Sequence, residues 1–114
     1  MSDYPVGAVM WAVDPTKAHD NRPVIVLSHE SRPFGSVECT VMCLGTGAND
    51  YDHYAPELTD DHLSEISFST RTFLMPWALY TIPPGTLLTE KAHGELTETG
   101  ERLVKKSLLM LFEV

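Results

Sequence analysis

Arg22-Pro23-Val24-Ile25-Val26-Leu27-Ser28-His29 is the stretch that decides the fold of this chain. Val24 to Leu27 are four consecutive apolar residues, three of them β-branched, and they follow a proline that cannot donate to a β-ladder. This is the pattern of a buried strand with Pro23 at its first position. Proline also steers the residue before it away from the helical region, so Arg22 is held extended at the mouth of that strand. A long cation in such a place is costly unless it is paired with, or receives, an anion.

Working outward, 37–44 reads as the next strand. Thr40, Met42 and Leu44 fall on one face, and Cys39, Val41 and Cys43 on the other. A turn through 30–36, carrying Pro33 and Gly35, joins the two strands as an antiparallel hairpin. With that turn as centre, Arg22 lies opposite about Leu44 or Gly45, and Thr46 sits beside it at the same end of the sheet. The connection His19-Asp20-Asn21 opens at that end too. A guanidinium, a hydroxyl flanked by Gly45 and Gly47, and a polar loop therefore converge. Each has a plainer reading: Arg22 can form a structural ion pair with Asp14 or Asp20, and a threonine between glycines suits a turn.

The remaining elements are read the same way. Residues 6–13, with Trp11, form a first strand that Asp14-Pro15 stops. Residues 48–62 are polar and acidic without a period, which predicts a long surface loop. Short strands are expected at 65–69, at 72–74 and, after a bend at Met75-Pro76, at 77–82. Pro83-Pro84-Gly85 turns the chain, and 87–92 supply a last strand. Thr97 caps a helix over 98–112, with Val104, Leu108, Leu111 and Phe112 on one stripe and Leu109 and Met110 outside it, a candidate partner surface. Five or six strands followed by one helix predict a mainly β chain of one domain, a small twisted barrel with helical decoration.

Composition limits what such a barrel can do. The chain has 114 residues and a net charge of −8, from 16 acidic and 8 basic side chains. That balance argues against an undirected polyanion binder, so any nucleic-acid contact must come from a local cluster of basic groups. Cys39 and Cys43 are four residues apart, about 13 Å along a strand, too far for a disulfide, and read as free, buried thiols. Asp52-His53 and Asp61-His62 carry metal-type donors, but at no metal-site spacing, so a solvated loop is expected, with no metal and no cofactor. Trp11 and Trp77 read as core or interface anchors. The apolar run near Val9 is short and lacks a basic lead, and no segment approaches membrane-spanning length, so a cytoplasmic protein is expected.

An ordered set of segments resembles the PemK/MazF toxin family. These are Gly7-Ala8-Val9-Met10-Trp11-Ala12-Val13-Asp14-Pro15, then Asn21-Arg22-Pro23-Val24-Ile25-Val26-Leu27-Ser28, then Val41-Met42-Cys43-Leu44-Gly45-Thr46. Leu74-Met75-Pro76-Trp77-Ala78-Leu79-Tyr80-Thr81-Ile82 and Gly94-Glu95-Leu96-Thr97 follow in the same order. The resemblance implies an SH3-like PemK/MazF-type β-barrel with a C-terminal α-helix. It further implies a homodimer, and a metal-independent endoribonuclease on single-stranded RNA that a cognate antitoxin protein neutralises. Its catalytic arginine before proline corresponds to Arg22 and its threonine after the third strand to Thr46. His19, Asn21, Gly45, Gly47 and Trp77 are then the candidate substrate contacts. The pattern departs at Ala8, where the family carries an acid, and at Trp77, where it carries a polar residue. A non-catalytic barrel of the same type, binding a protein or a nucleic acid, is the alternative.

Overall fold

The computed structural model of the chain describes residues 4–29, 31–47 and 54–113. Its centre is the hairpin expected from the Pro23 stretch. β2 (Asn21–Val26) pairs antiparallel with β3 (Cys39–Gly45), with Val24 opposite Cys43 and Val26 opposite Val41. β1 (Ala8–Val13) flanks β2 on its other side, Ala12 facing Arg22. The two cysteines are buried and free, and burial pushes the Cys43 thiol up to about 11, the behaviour of an inert core residue.

Strict alternation buries both faces of these strands. Met10, Ala12, Val24, Val26, Val41 and Cys43 share one cluster, while Val9, Ile25, Met42 and Leu44 share another with Leu74, Leu96 and Val104. Both clusters consist of side chains almost fully removed from water, each burial of a Val, Leu, Ile or Met contributing about 1.5–3 kcal/mol. The sheet curls to achieve this. Its seven strands run in the order β4 (Glu57–Leu58), β6 (Thr72–Ile82), β3, β2, β1, β7 (Gly94–Leu96), β5 (Leu63–Ser64), a nearly closed antiparallel barrel with one C-terminal helix.

The longest strand is β6 (Thr72–Ile82). It is one continuous strand, not two pieces, and Met75-Pro76 is accommodated where its register against β3 shifts, between the Met42–Leu79 and Leu44–Leu74 pairs. A bulge of this kind increases local twist and bends the strand, which carries Thr72, Met75 and Trp77 round towards the end of β2. Proline fits at such an irregularity because no ladder hydrogen bond is required of it there.

Three expectations from the sequence are corrected. The 48–62 stretch is not all loop: residues 54–62 contain β4 (Glu57–Leu58) and a 3-10 turn at Asp60–His62, while Asp52 and His53 lie outside the described residues. The strand expected at 65–69 is instead the two-residue β5 (Leu63–Ser64), because Glu65 adopts a left-handed backbone (φ 66) that ends the extension. The strand expected at 87–92 reduces to a single bridge between Leu87 and Ala12, and the true last strand is β7 (Gly94–Leu96), which joins β1 to β5.

The helix α1 (Glu98–Leu111) has the expected cap, the Thr97 hydroxyl accepting from the Gly100 amide. Val104 is buried and Leu108 packs against the same cluster. Phe112, expected on that stripe, lies past the last helical turn and is 88% exposed. No helix among the described residues is long and apolar enough to cross a membrane.

Candidate functional site

The connection between β1 and β2 is built on one carboxylate. Asp14 is buried, and its Oδ1 accepts from the Thr16 amide at 2.9 Å and the Thr16 hydroxyl at 2.7 Å. Its Oδ2 accepts from the His19 amide at 2.9 Å. These bonds wrap 14–19 into a turn in which Lys17 takes a left-handed backbone (φ 65). An aspartate followed by proline and threonine is a strong local signal for such a side-chain-bonded turn.

Arg22 completes the arrangement. Its Nε donates to Asp14 Oδ1 at 3.0 Å, and its Nη1 donates to the Leu44 carbonyl at 2.9 Å. The ion pair expected as the plainer reading is therefore present, and Asp14 is the partner, not Asp20. Burial disfavours the charge on Asp14, yet the hydrogen bonds from Thr16, Arg22 and His19 outweigh it and hold the carboxyl well below the usual carboxylate range. Two of the guanidinium's nitrogens are thus tied to the fold at the end of the sheet, with the side chain still 12% exposed.

That exposed edge lines a cleft of about 510 Å³. Arg22, Thr46, His19 and Asn21 line it from the ends of β2 and β3 and the turn before β2; Gly45, Gly47 and Trp77 line it as well. Every site residue named from the sequence thus borders a single cleft. A Cβ at Gly45 would stand 2.9 Å from Met75 Sδ, which would have to swing aside, and 3.3 Å from Arg22 Nη1, crowding the guanidinium. Thr46 and His19 are exposed, and Trp77 is 46% exposed at the rim, not a core anchor. Trp11 is half-buried and meets Phe68 edge-on, with ring centroids 6.4 Å apart.

Residues missed from the sequence also border this cleft: Phe68, Ser69, Thr70, Thr72 and Met75. They arrive from the loop before β6 and from β6 itself through the curl of the sheet, and no local pattern announced them. Ala8 is elsewhere. It is a buried core residue on β1 packed in the cluster with Tyr4, outside the lining of the cleft, so its departure from the family pattern leaves the Arg22–Thr46 region untouched. Among the described residues, no group of three or more His, Cys, Asp or Glu could hold a metal ion.

Chemically, the cleft offers an oriented guanidinium edge, several hydroxyls, one imidazole and aromatic faces. This set suits a phosphodiester flanked by unstacked bases: guanidinium and hydroxyls meet phosphate oxygens, and aromatic side chains accept bases in single strands.

No protein-family model matches the sequence, and no curated protein matches it. Among solved structures, the chain is similar to the Mycobacterium tuberculosis toxin MazF-mt6, with a TM-score of 0.69 and 16% sequence identity, over 93% of this chain and 96% of that one. At that identity the likeness speaks for architecture: the chain has a MazF-like fold, a nearly closed, mainly β barrel with a C-terminal helix.

Proposed function

We propose that this chain is the toxin component of a toxin–antitoxin pair, a metal-independent endoribonuclease that cuts single-stranded RNA in the cytoplasm. The observation that carries the reading is that Arg22 and Thr46 border one cleft in a MazF-like fold. In the reaction the RNA's own 2′-oxygen bonds to phosphorus and the bond from phosphorus to the 5′-oxygen breaks. A proton leaves the 2′-hydroxyl and another reaches the departing oxygen, leaving a cyclic phosphate and a 5′-hydroxyl end.

The residues divide this work. Arg22, paired with a carboxylate that stays ionised, serves as a fixed cation for the charge that grows on the phosphorane oxygens. Thr46 adds a hydrogen bond. His19 borders the same cleft and contacts the substrate strand in this reading. Asn21, the backbone at Gly45 and Gly47, and the ring of Trp77 hold the strand. With one guanidinium facing the cleft, counterion release contributes little, so stacking and hydrogen bonds supply most of the affinity.

The test is incubation of the purified protein with a long single-stranded RNA in the presence of EDTA, followed by mapping of the ends. Discrete cuts bearing 5′-hydroxyls are expected at an undiminished rate, and Thr46→Ala is expected to slow them about tenfold while Thr46→Ser loses less. Activity that EDTA abolishes and one divalent ion restores would count against the reading. RNA retained but left intact would favour the alternative, a non-catalytic binding module, which the net charge of −8 supports.

The same reading makes the protein a homodimer that a cognate antitoxin covers. Exposed apolar side chains at Leu79, Tyr80, Leu109 and Phe112 supply surface for such contacts. Sedimentation at micromolar concentration is expected to give about twice the 12.7 kDa chain mass; a lone monomer there would remove the dimer.

A further inference from the structure

We propose that Asp14 is a positioning residue of the cleft: it fixes which edge of the Arg22 guanidinium is turned to the substrate phosphate, and ties the placing of His19 to the same point. The proposal rests on the ribonuclease reading, but its geometry is independent of it. Four donors converge on this one buried carboxylate, two from Thr16, one from the His19 backbone and one from Arg22 Nε. Arg22 Nη1 is spent on the Leu44 carbonyl, and Gly45 leaves the space that the guanidinium occupies. With Nε and one Nη1 hydrogen committed, the donors left over for a ligand are the Nη2 pair and the second Nη1 hydrogen, and Arg22 is among the residues that border the cleft.

A surface ion pair made merely for stability would not look like this. Asp14 is the best-buried acid of the described residues and its side chain is fully out of water, whereas Arg71 with Glu57 and Arg102 with Glu98 pair on the exposed surface. Burying a carboxylate to hold a cation that itself stays partly exposed costs desolvation, and what it returns is an arginine with one orientation. Orientation is what a site needs when charge appears only in the transition state, since a misplacement of about 1 Å can cost about 100-fold in rate.

Asp14→Asn is the deciding variant. An amide is neutral and accepts on one side only: with its oxygen in the Oδ1 place it keeps a weaker bond from Arg22 Nε, without the carboxylate charge, and turns its NH2 on the His19 amide, so both ties are loosened. In the wild-type protein the Arg22 Nε–H, assigned by its absence in Arg22→Lys, is expected to exchange slowly with water by nitrogen-15 NMR. In Asp14→Asn it is expected to exchange faster than in wild type, and added inorganic phosphate is expected to perturb the remaining Arg22 signals less than in wild type. With RNA as substrate, kcat is expected to fall about 30-fold with KM changed less than threefold. In an Arg22→Ala background the same substitution is expected to remove much less, only the part carried by the placing of His19, since Asp14 acts mainly through Arg22.

If Asp14→Asn does not fold, Thr16→Val carries the test, because it strips the hydroxyl that fixes the same carboxylate oxygen; faster Nε–H exchange is expected there too. Unchanged exchange in whichever variant folds, or an equal loss of rate in the Arg22→Ala background, overturns the proposal. A wild-type protein inert towards RNA overturns the ribonuclease reading instead, and the exchange and phosphate measurements then decide on Asp14.

Discussion

Arg22→Ala is expected to lower RNA cleavage by about 100-fold or more and, separately, to destabilise the fold by about 3 kcal/mol at neutral pH. The two effects have different origins in one side chain. Cleavage falls because the phosphorane loses a cation placed by Asp14 and the Leu44 carbonyl. Stability falls because the buried Asp14 carboxylate is left with only the Thr16 and His19 donors. Alanine is therefore not a silent truncation here, and a lower melting temperature does not by itself argue against a chemical role.

Arg22→Lys separates them. An ammonium can stay near Asp14 and restore part of the stability, but it cannot reach both Asp14 Oδ1 and the Leu44 carbonyl while facing the cleft in a plane. It should regain much of the melting temperature and little of the rate. The pH dependence gives a second handle. Asp14 ionises in the fold well below its unfolded value, so the stability it contributes is fully present above about pH 4 and is lost as pH falls below that. Removing Arg22 removes one of the bonds that lower this carboxyl, which must rise. The penalty of Arg22→Ala is then largest at neutral pH and shrinks in acid. Initial rates and urea midpoints measured on the same preparations, from pH 3 to 8, test this. A folded Arg22→Ala protein cleaving at the wild-type rate would end the catalytic reading, and activity falling only in step with folded fraction would leave Arg22 a structural residue.

What the sequence made legible was what strand physics repeats. The Pro23 stretch, the alternation of Cys39, Val41 and Cys43 against Met42 and Leu44, and the Thr97 cap all act through local backbone preference, and the structure has each of them. Hairpin symmetry around Pro33 then brought the Arg22 end of one strand to the Leu44–Gly45 end of the next. The failures have the same kind of cause. Two-residue strands such as β4 and β5 contain no period to read. Serines alternating with Ile66 and Phe68 resemble a strand until Glu65 turns left-handed, which no residue pattern marks. Leu87 looked like strand because it is apolar, but it is buried by a single bridge to Ala12. In the site, Thr72 and Met75 come from a strand whose curl depends on a bulge opposite Cys43, a long-range event. Asp14 could have been weighted higher, since its Asp-Pro-Thr turn signal is local.

The helix carries the second large effect, and its sign is the point. Gly100→Ala in an ordinary helix stabilises by about 1 kcal/mol, because glycine loses more backbone freedom on folding. Here it is expected to destabilise by about 2 kcal/mol. Gly100 is buried in the first turn of α1, and the carbonyl oxygen of His62 stands where a Cβ would go, with the His62 carbonyl carbon 3.1 Å and Cα 3.2 Å away. These are backbone atoms and cannot rotate aside. The same carbonyl accepts from the Thr97 amide at 2.9 Å, and the Thr97 hydroxyl donates to the Asp61 carbonyl at 2.7 Å. A methyl group at position 100 must push the helix off the 3-10 turn and stretch both bonds, loosening the cap that Gly100 itself donates to. Lys105→Ala, on the exposed face, gives the baseline and is expected to change stability by a few tenths of a kcal/mol. Thermal unfolding of the two variants side by side is the measurement. A drop of roughly 5 °C or more for Gly100→Ala is expected, with cleavage by the folded fraction unchanged, because neither Gly100 nor His62 borders the cleft. A rise in melting temperature would mean that the helix is free to move away from the turn, and that the contact between them holds nothing in place.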